Sequence, residues 1–232
     1  MTETTTRWHP VAGSDQLAQL AAQRILACAK ASIAASGRFQ LVLAGGNTPR
    51  PAYACLRDAD TDWDAWHVYF SDERCLPEDD PGRNSSMARK SLLSHVPIPA
   101  QQVHAIEAER GAYAAANSYA KELKGLGHFD LVLLGLGEDG HTASLFPGQY
   151  WGIEHDSRFV LPVFKSPKPP AERVTLSANR LSRTSGLLFL VDGESKRDAV
   201  RRWREGGSIP AAAIKPSAGA DVLVQASLLE DS

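Results

Sequence analysis

The run Phe129-Asp-Leu-Val-Leu-Leu134, leading straight into Gly135-Leu-Gly-Glu-Asp-Gly-His-Thr142, carries the reading of the fold. The first six residues are apolar at every position except Asp130 and show no in–out alternation. Such a run suits a strand covered on both faces, the habit of parallel sheets flanked by helices. The glycine turn that follows stops the strand and gathers polar residues at its carboxyl end.

The same pattern recurs on either side. Phe39-Gln-Leu-Val-Leu-Ala44 ends in Gly45-Gly-Asn-Thr-Pro49, and Trp66-His-Val-Tyr-Phe70 runs into Ser71-Asp-Glu-Arg74. Upstream, Ser14 or Asp15 is placed to cap a helix through about Ala35, with Leu17, Leu20, Ala21, Ile25 and Cys28 at helical spacing. Gly37 stops it. Further helices are expected over Arg50–Leu56, Asn84–Ser94, Tyr113–Leu123 and the basic stretch Ser195–Arg204. Strands are expected near Val103–Ile106 and over Phe159–Phe164, Arg173–Leu176, Ser185–Val191 and Asp221–Gln225. The first strand thus begins near residue 39. Strands alternating with helices predict one α/β domain over residues 1–232, with the strands in a parallel sheet. The proline-rich Ser166-Pro-Lys-Pro-Pro170 reads as a surface loop, not a domain linker.

Composition narrows the function classes. The 232 residues are 43% hydrophobic and 22% charged, ordinary for a globular chain with a real core. A net charge of −2 argues against a nucleic-acid partner, which calls for a concentrated basic surface. The basic cluster Lys196-Arg197, Arg201-Arg202 and Arg204 reads as a solvated helix face. Three cysteines, Cys28, Cys55 and Cys75, have an odd count and no CxxC spacing, as in a reducing compartment. No stretch approaches the roughly 20 apolar residues of a membrane span, so no membrane role is expected and the cytoplasm is the default location.

Ligands of open parallel sheets gather at the carboxyl ends of strands. Three polar, glycine-marked segments stand there. Gly45, Gly46, Asn47 and Thr48 join a strand to a helix, and Pro49 suits its first turn. The open N–H groups and the Thr48 hydroxyl fit a phosphate, although an ordinary turn would look the same. Gly135, Gly137 and Gly140 match GxGxxG, but only Thr142–Phe146 follows before Pro147-Gly148, too short for the helix a dinucleotide needs. The turn instead offers Asp139 and His141, and an imidazole accepts protons near neutral pH. Asp72, Glu73 and Arg74 supply a carboxylate that orients or exchanges a proton and a planar fork for anions. Cys75, beside Arg74, is a candidate for a lowered thiol pKa, though an ordinary loop thiol fits as well. There is no GxSxG elbow, no HExxH, and no Cys/His spacing for a metal; Asp139 and His141 lack a third ligand.

Taken together and in order, Leu43–Pro49, Phe70–Arg74 with Asn84-Ser85, Gly135–Gly148, Arg173-Val-Thr-Leu176 and Gly193-Glu-Ser-Lys196 resemble the 6-phosphogluconolactonase family. The resemblance runs from about Ala12 to Val224. It implies a three-layer α/β/α, Rossmann-like fold with a mostly parallel sheet, similar to glucosamine-6-phosphate deaminase and ribose-5-phosphate isomerase. It also implies hydrolysis of 6-phospho-D-glucono-1,5-lactone to 6-phosphogluconate in the oxidative pentose phosphate pathway, without metal or organic cofactor. On that basis His141 activates water and Asp139 or another acidic group orients it. Arg74 meets the substrate's polar groups, oxyanion or phosphate. The phosphate would rest on the Gly45–Thr48 loop, with Arg173 and Lys196 adding charge. Asn47 departs from the small residue, often Ser, that the family carries there, but still donates a hydrogen bond. The expected partner is a small sugar-phosphate lactone, and the expected assembly a monomer or weak homodimer.

Two other readings are distinguishable. The deaminase class carries Asp-Glu-Tyr where this chain has Asp72-Glu73-Arg74, and Asn-Glu-Pro after its histidine where this chain has Ala143–Pro147. A sugar-phosphate sensor would carry a DNA-binding helical module, for which a first strand near residue 39 leaves too little chain.

Overall fold

The computed structural model describes residues 5–230. In chain order the elements are β1 (Thr6–Val11), α1 (Ser14–Ser36), β2 (Phe39–Leu43), α2 (Pro49–Cys55), β3 (Trp66–Phe70), β4 (Asp72–Arg74), α3 (Asn84–Ala88), β5 (Val103–His104), α4 (Ala112–Glu122), β6 (Phe129–Gly135), β7 (Val160–Val163), β8 (Arg173–Leu176), α5 (Ala178–Ser182), β9 (Thr184–Val191), α6 (Arg197–Arg204) and β10 (Ala220–Gln225). Seven strands form a parallel sheet in the order β1-β10-β9-β6-β2-β3-β5. The expected α/β architecture with a mostly parallel sheet is the one observed.

The sequence explains the centre of the sheet. All five residues of β2 are buried, as are Leu131 through Leu134 of β6. The lone polar residue of the β6 run has a task, since the Asp130 carboxylate accepts the Gln40 N–H at 2.7 Å. Helix α1 buries Leu17, Ala18, Ala21, Ala22, Ile25 and Ala29. It ends at Gly37, whose φ of 72° is left-handed and whose N–H donates to the Ile33 carbonyl.

Crossovers explain where ligands must go. Right-handed connections stepping toward β5, through α1, α2 and α3, fall on one face; those stepping back, through α4 and α6, fall on the other. Contact between α1 and α2 agrees with this. The direction reverses between β2 and β6, which lie side by side. That is the switch point at which open α/β sheets bind ligands.

Several expectations are corrected. The first strand is β1, paired along its whole length with β10, not a strand near residue 39. As an edge strand with Arg7, His9 and Pro10, it buries only Val11 fully, so it shows no apolar run. The segments near 160 and 173 do form strands, but not in the parallel sheet. β4, β8 and β7 make a separate antiparallel sheet, in which Asp72 faces Thr175 and Arg74 faces Arg173. Helix α1 is capped at Gly13 rather than by Ser14 or Asp15; the Ser14 hydroxyl donates instead to Asp192 at 2.6 Å. Helix α3 passes into a π-helical turn over Arg89–Leu93, and the short α5 has no counterpart in the expected elements. The basic helix is α6, with Ala199, Val200 and Trp203 turned inward.

Two buried tyrosines fix the strand ends that lead into the polar loops. The Tyr53 hydroxyl, on α2, accepts the Ala44 N–H and donates to the Ala44 carbonyl, both at 2.9 Å. Tyr119, on α4, does the same at Phe70, accepting its N–H at 3.0 Å and donating to its carbonyl at 3.4 Å.

Candidate active site

At the switch point a cleft of about 540 Å³ opens at the carboxyl ends of β2, β3 and β6. The three segments singled out from the sequence meet in its wall. Gly45, Gly46, Asn47 and Thr48 come from the loop after β2, Asp72 and Arg74 from β4, and His141 from the turn after β6. Arg173 and Lys196 line the same cleft. Asp139 does not; it stands behind His141.

The turn holding His141 is built around glycine. A Cβ on Gly137 would lie 1.9 Å from His141 Nδ1, so the imidazole packs over the bare Cα of Gly137. Gly140 has φ 88° and would bring a Cβ within 2.8 Å of Ile209. The GxGxxG spacing thus serves a tight turn and a seated ring, with no helix behind it. The turn closes through Gly137 N–H to His141 O at 2.7 Å and Gly140 N–H to Gly137 O at 2.9 Å.

Asp139 holds the ring from one side. Its Oδ1 lies 2.5 Å from His141 Nδ1 and accepts the His141 N–H at 3.1 Å. Burial pushes the Asp139 carboxyl upward, but these bonds to His141 outweigh it and hold it below the ordinary carboxylate value. An ionised carboxylate only accepts, so Nδ1 carries the hydrogen and Nε2 keeps its lone pair. Burial lowers the His141 pKa below its usual value, against the opposing pull of Asp139, with Lys168 lowering it further. The ring is therefore neutral and basic at neutral pH.

Asp72 is buried and tightly held. Its Oδ2 accepts from the Ser144 hydroxyl at 2.6 Å, and Oδ1 from the Asn84 amide at 3.1 Å and the Ser71 hydroxyl at 3.2 Å. The Asn84 amide also reaches the Asp72 carbonyl at 2.9 Å. Asn84 fits because Gly45 has no side chain; a Cβ there would fall 2.1 Å from Asn84 Oδ1. Glu73, fully buried, is no site residue. Its carboxylate accepts the N–H groups of Arg74, Asn84 and Ser85 and lies 3.4 Å from Arg83 Nε. Arg74 donates from Nη1 to the Gly82 carbonyl at 2.7 Å. Cys75 is not activated: burial, then Glu172 and Glu73, push its thiol up to about 11.

Three site neighbours have no role assigned from sequence. Asn84 and Ser144, which stand inside the quoted motifs, hold Asp72, and Lys168 lines the cleft from the proline-rich loop. Only pairing of distant segments reveals what the first two do. Lys168 was hidden because a Pro-rich stretch reads as exposed loop. Among the described residues no group of three or more His, Cys, Asp or Glu is arranged to hold a metal ion.

Residues 12–223 match the family model for glucosamine-6-phosphate isomerases/6-phosphogluconolactonase. The chain belongs to this family. Its relatives include a 6-phosphogluconolactonase from Mycobacterium leprae, 37% identical over 86% of this chain and 85% of that protein. The crystal structure of 6-phosphogluconolactonase from Thermotoga maritima superimposes with a TM-score of 0.88 at 27% identity, covering 95% of this chain and all of that one. A monomeric glucosamine-6-phosphate deaminase, 22% identical over 96% of this chain and 98% of its own, shares the fold with a TM-score of 0.78. The three-layer α/β/α fold of the lactonase–deaminase family is therefore that of this chain.

Proposed function

We propose that this chain is a 6-phosphogluconolactonase, hydrolysing 6-phospho-D-glucono-1,5-lactone to 6-phosphogluconate as a step of the oxidative pentose phosphate pathway. The observation that carries the reading is the Asp139–His141 pair, poised at 2.5 Å beside a cleft walled by Arg74, Lys168, Arg173 and Lys196. Its relatives named 6-phosphogluconolactonase, at 37% identity over most of the chain, support the same conclusion.

A lactone is an ester, so its hydrolysis needs an activated water and stabilisation of the developing oxyanion. His141 Nε2 takes a proton from water as the oxygen attacks C1. The imidazolium then returns a proton to the ring oxygen as the C1–O bond breaks. Asp139 fixes the tautomer and stabilises the transient cation, the role such carboxylates play in triads. Arg74 supplies positive charge to the oxyanion or neighbouring hydroxyls. Asp72, held by Ser144 and Asn84, is a fixed acceptor for a sugar hydroxyl. The Gly45–Thr48 loop and Lys196 receive the phosphate, and that remote binding positions C1 against the water. Among the described residues no helix is long and apolar enough to cross a membrane.

The test generates the lactone in situ from glucose 6-phosphate and follows its loss above the spontaneous rate. His141→Ala should lower kcat/KM by roughly 10²–10⁴-fold while keeping its fold and its affinity for 6-phosphogluconate. Full activity in His141→Ala would remove the assigned base. Ammonia release from glucosamine 6-phosphate would place the chain with the deaminases instead.

A further inference from the structure

Arg173 was expected to bind phosphate, yet its guanidinium is largely committed elsewhere. Nη2 donates to the carbonyls of Lys168 at 3.0 Å and Pro169 at 2.9 Å, and Nε to that of Pro170 at 3.3 Å. Nη1 reaches the Ser144 hydroxyl at 3.4 Å. The arginine is buried, with only 5% of its surface exposed. Three successive carbonyls on one planar fork make a clamp. What it clamps is the proline-rich loop, which Ser166 also ties through its hydroxyl to Lys168 O at 2.7 Å.

The loop so held places Lys168 in the cleft wall together with Lys196 and His141. Lys168 is half-buried and near enough to act electrostatically on His141, Asp139 and Lys196. Two ammonium groups brought together at a cleft repel each other, and a phosphate dianion between them relieves that repulsion. Lysine acts on phosphate as a compact point charge and does not need fixed fork geometry, so its backbone must be held for it.

We propose that Lys168 is a phosphate-contacting residue of this site, paired with Lys196, and that Arg173 is the positioning residue that holds Lys168 there. The ligand class is a sugar carrying a phosphate dianion. This rests on the proposed lactonase function for its kinetic readout, but not for its binding readout.

The experiment uses the full chain with Lys168→Met, Arg173→Lys, Arg173→Met and the Lys168→Met/Arg173→Met double variant. Each is checked for folding by circular dichroism and thermal melting. KM and kcat are measured on the phosphorylated lactone and on unphosphorylated gluconolactone, and 6-phosphogluconate binding is measured by calorimetry. Lys168→Met should raise KM for the phosphorylated lactone about 10- to 100-fold, the weight of one charged hydrogen bond, and change KM for gluconolactone far less. Arg173→Lys should show the same defect although it keeps the charge, because an ammonium cannot span three carbonyls. The double variant should be no worse than Arg173→Met alone. Unchanged KM in Lys168→Met overturns the proposal, as does near-wild-type KM in Arg173→Lys, which keeps the test open if Arg173→Met fails to fold. Should the wild type turn over no lactone, the functional reading falls. Calorimetry then decides Lys168 separately: lost 6-phosphogluconate affinity in Lys168→Met upholds it, and full affinity overturns it.

Discussion

Gly137 and His141 compete for one small volume, and the glycine yields it. A methyl at residue 137 would stand 1.9 Å from the imidazole, so Gly137→Ala must push the ring out of the turn. Nothing comparable threatens the backbone, because Gly137 is not among the glycines with left-handed φ. The expected result is a folded protein with kcat/KM reduced at least about 100-fold, the cost of an ångström of misplacement. A melting temperature near wild type beside that loss is the measurement; retained activity would show that the ring does not act from this position. Asp139 makes a prediction of opposite kind. The His141 pKa already lies below its ordinary value through burial, and Asp139 is the main influence raising it. A base works only when deprotonated, so the acid limb of kcat/KM in the wild type should fall below the ordinary histidine pKa of about 6.5. Asp139→Asn removes the raising influence. The limb should move to still lower pH while the plateau drops, because the amide no longer enforces the Nδ1–H tautomer. A pH–rate profile in which the limb moves upward would refute this arrangement.

Elements differ in how plainly their residues announce them. β2, β3 and β6 are legible because burial on both faces leaves unbroken apolar runs, and the Gly45, Ser71 and Gly135 breaks mark their carboxyl ends. β1 is not legible, because one side of an edge strand faces water and Arg7, His9 and Pro10 break the pattern. β7 and β8 look like parallel strands from sequence, and β4 reads only as a polar segment after β3, since pairing and its direction depend on partners far along the chain. Edge strand β1 is fastened by charge where apolar area is scarce. Arg7 donates to Asp221 through Nε at 3.0 Å and Nη2 at 2.7 Å, His9 Nε2 lies 2.6 Å from the same carboxylate, and Arg24 lies 3.5 Å away. Burial pushes the Asp221 pKa up, but these partners win and bring it down to about 2. A carboxyl with a depressed folded pKa stabilises above its unfolded value, near 3.9, and loses that contribution as pH falls through the folded value. Asp221→Asn should therefore cost about 1–2 kcal/mol at pH 7, after allowance for solvent screening. The gap between the two proteins should nearly close by pH 2. Denaturant unfolding at both pH values checks it, and a gap that persists at pH 2 would mean the loss is one of packing.

Over the whole molecule, the two ends of the sheet divide the work. The carboxyl ends carry the cleft, and its location was legible because three polar turns end three apolar strands. Its cationic far wall was only half legible: Lys196 and Arg173 stand out in a motif, whereas Lys168 needs the clamp on residues 168–170 to become visible. The opposite end is a matter of stability, and Arg180 is its test. This arginine on α5 is completely buried, with its guanidinium carbon 3.8 Å from the centre of the Phe129 ring at the start of β6. Among the described residues no acceptor meets Nε or Nη2, and Nη1 has only a 3.4 Å bond to the Arg183 carbonyl. Burial lowers its pKa to about 10, so the charge persists at neutral pH without a carboxylate beside it. Stacking on an aromatic face returns about 2 kcal/mol when desolvated, while the effective penalty for burying an ion is several kcal/mol. An apolar side chain of similar length keeps the contact with Phe129 and removes the penalty. Arg180→Met should thus leave the melting temperature unchanged or raise it by a few degrees, and kcat/KM should not move, because the residue lies at the end of the sheet remote from His141. A loss of about 3–5 kcal/mol in unfolding experiments, the cost of breaking a paired buried charge, would instead show that Arg180 holds a partner.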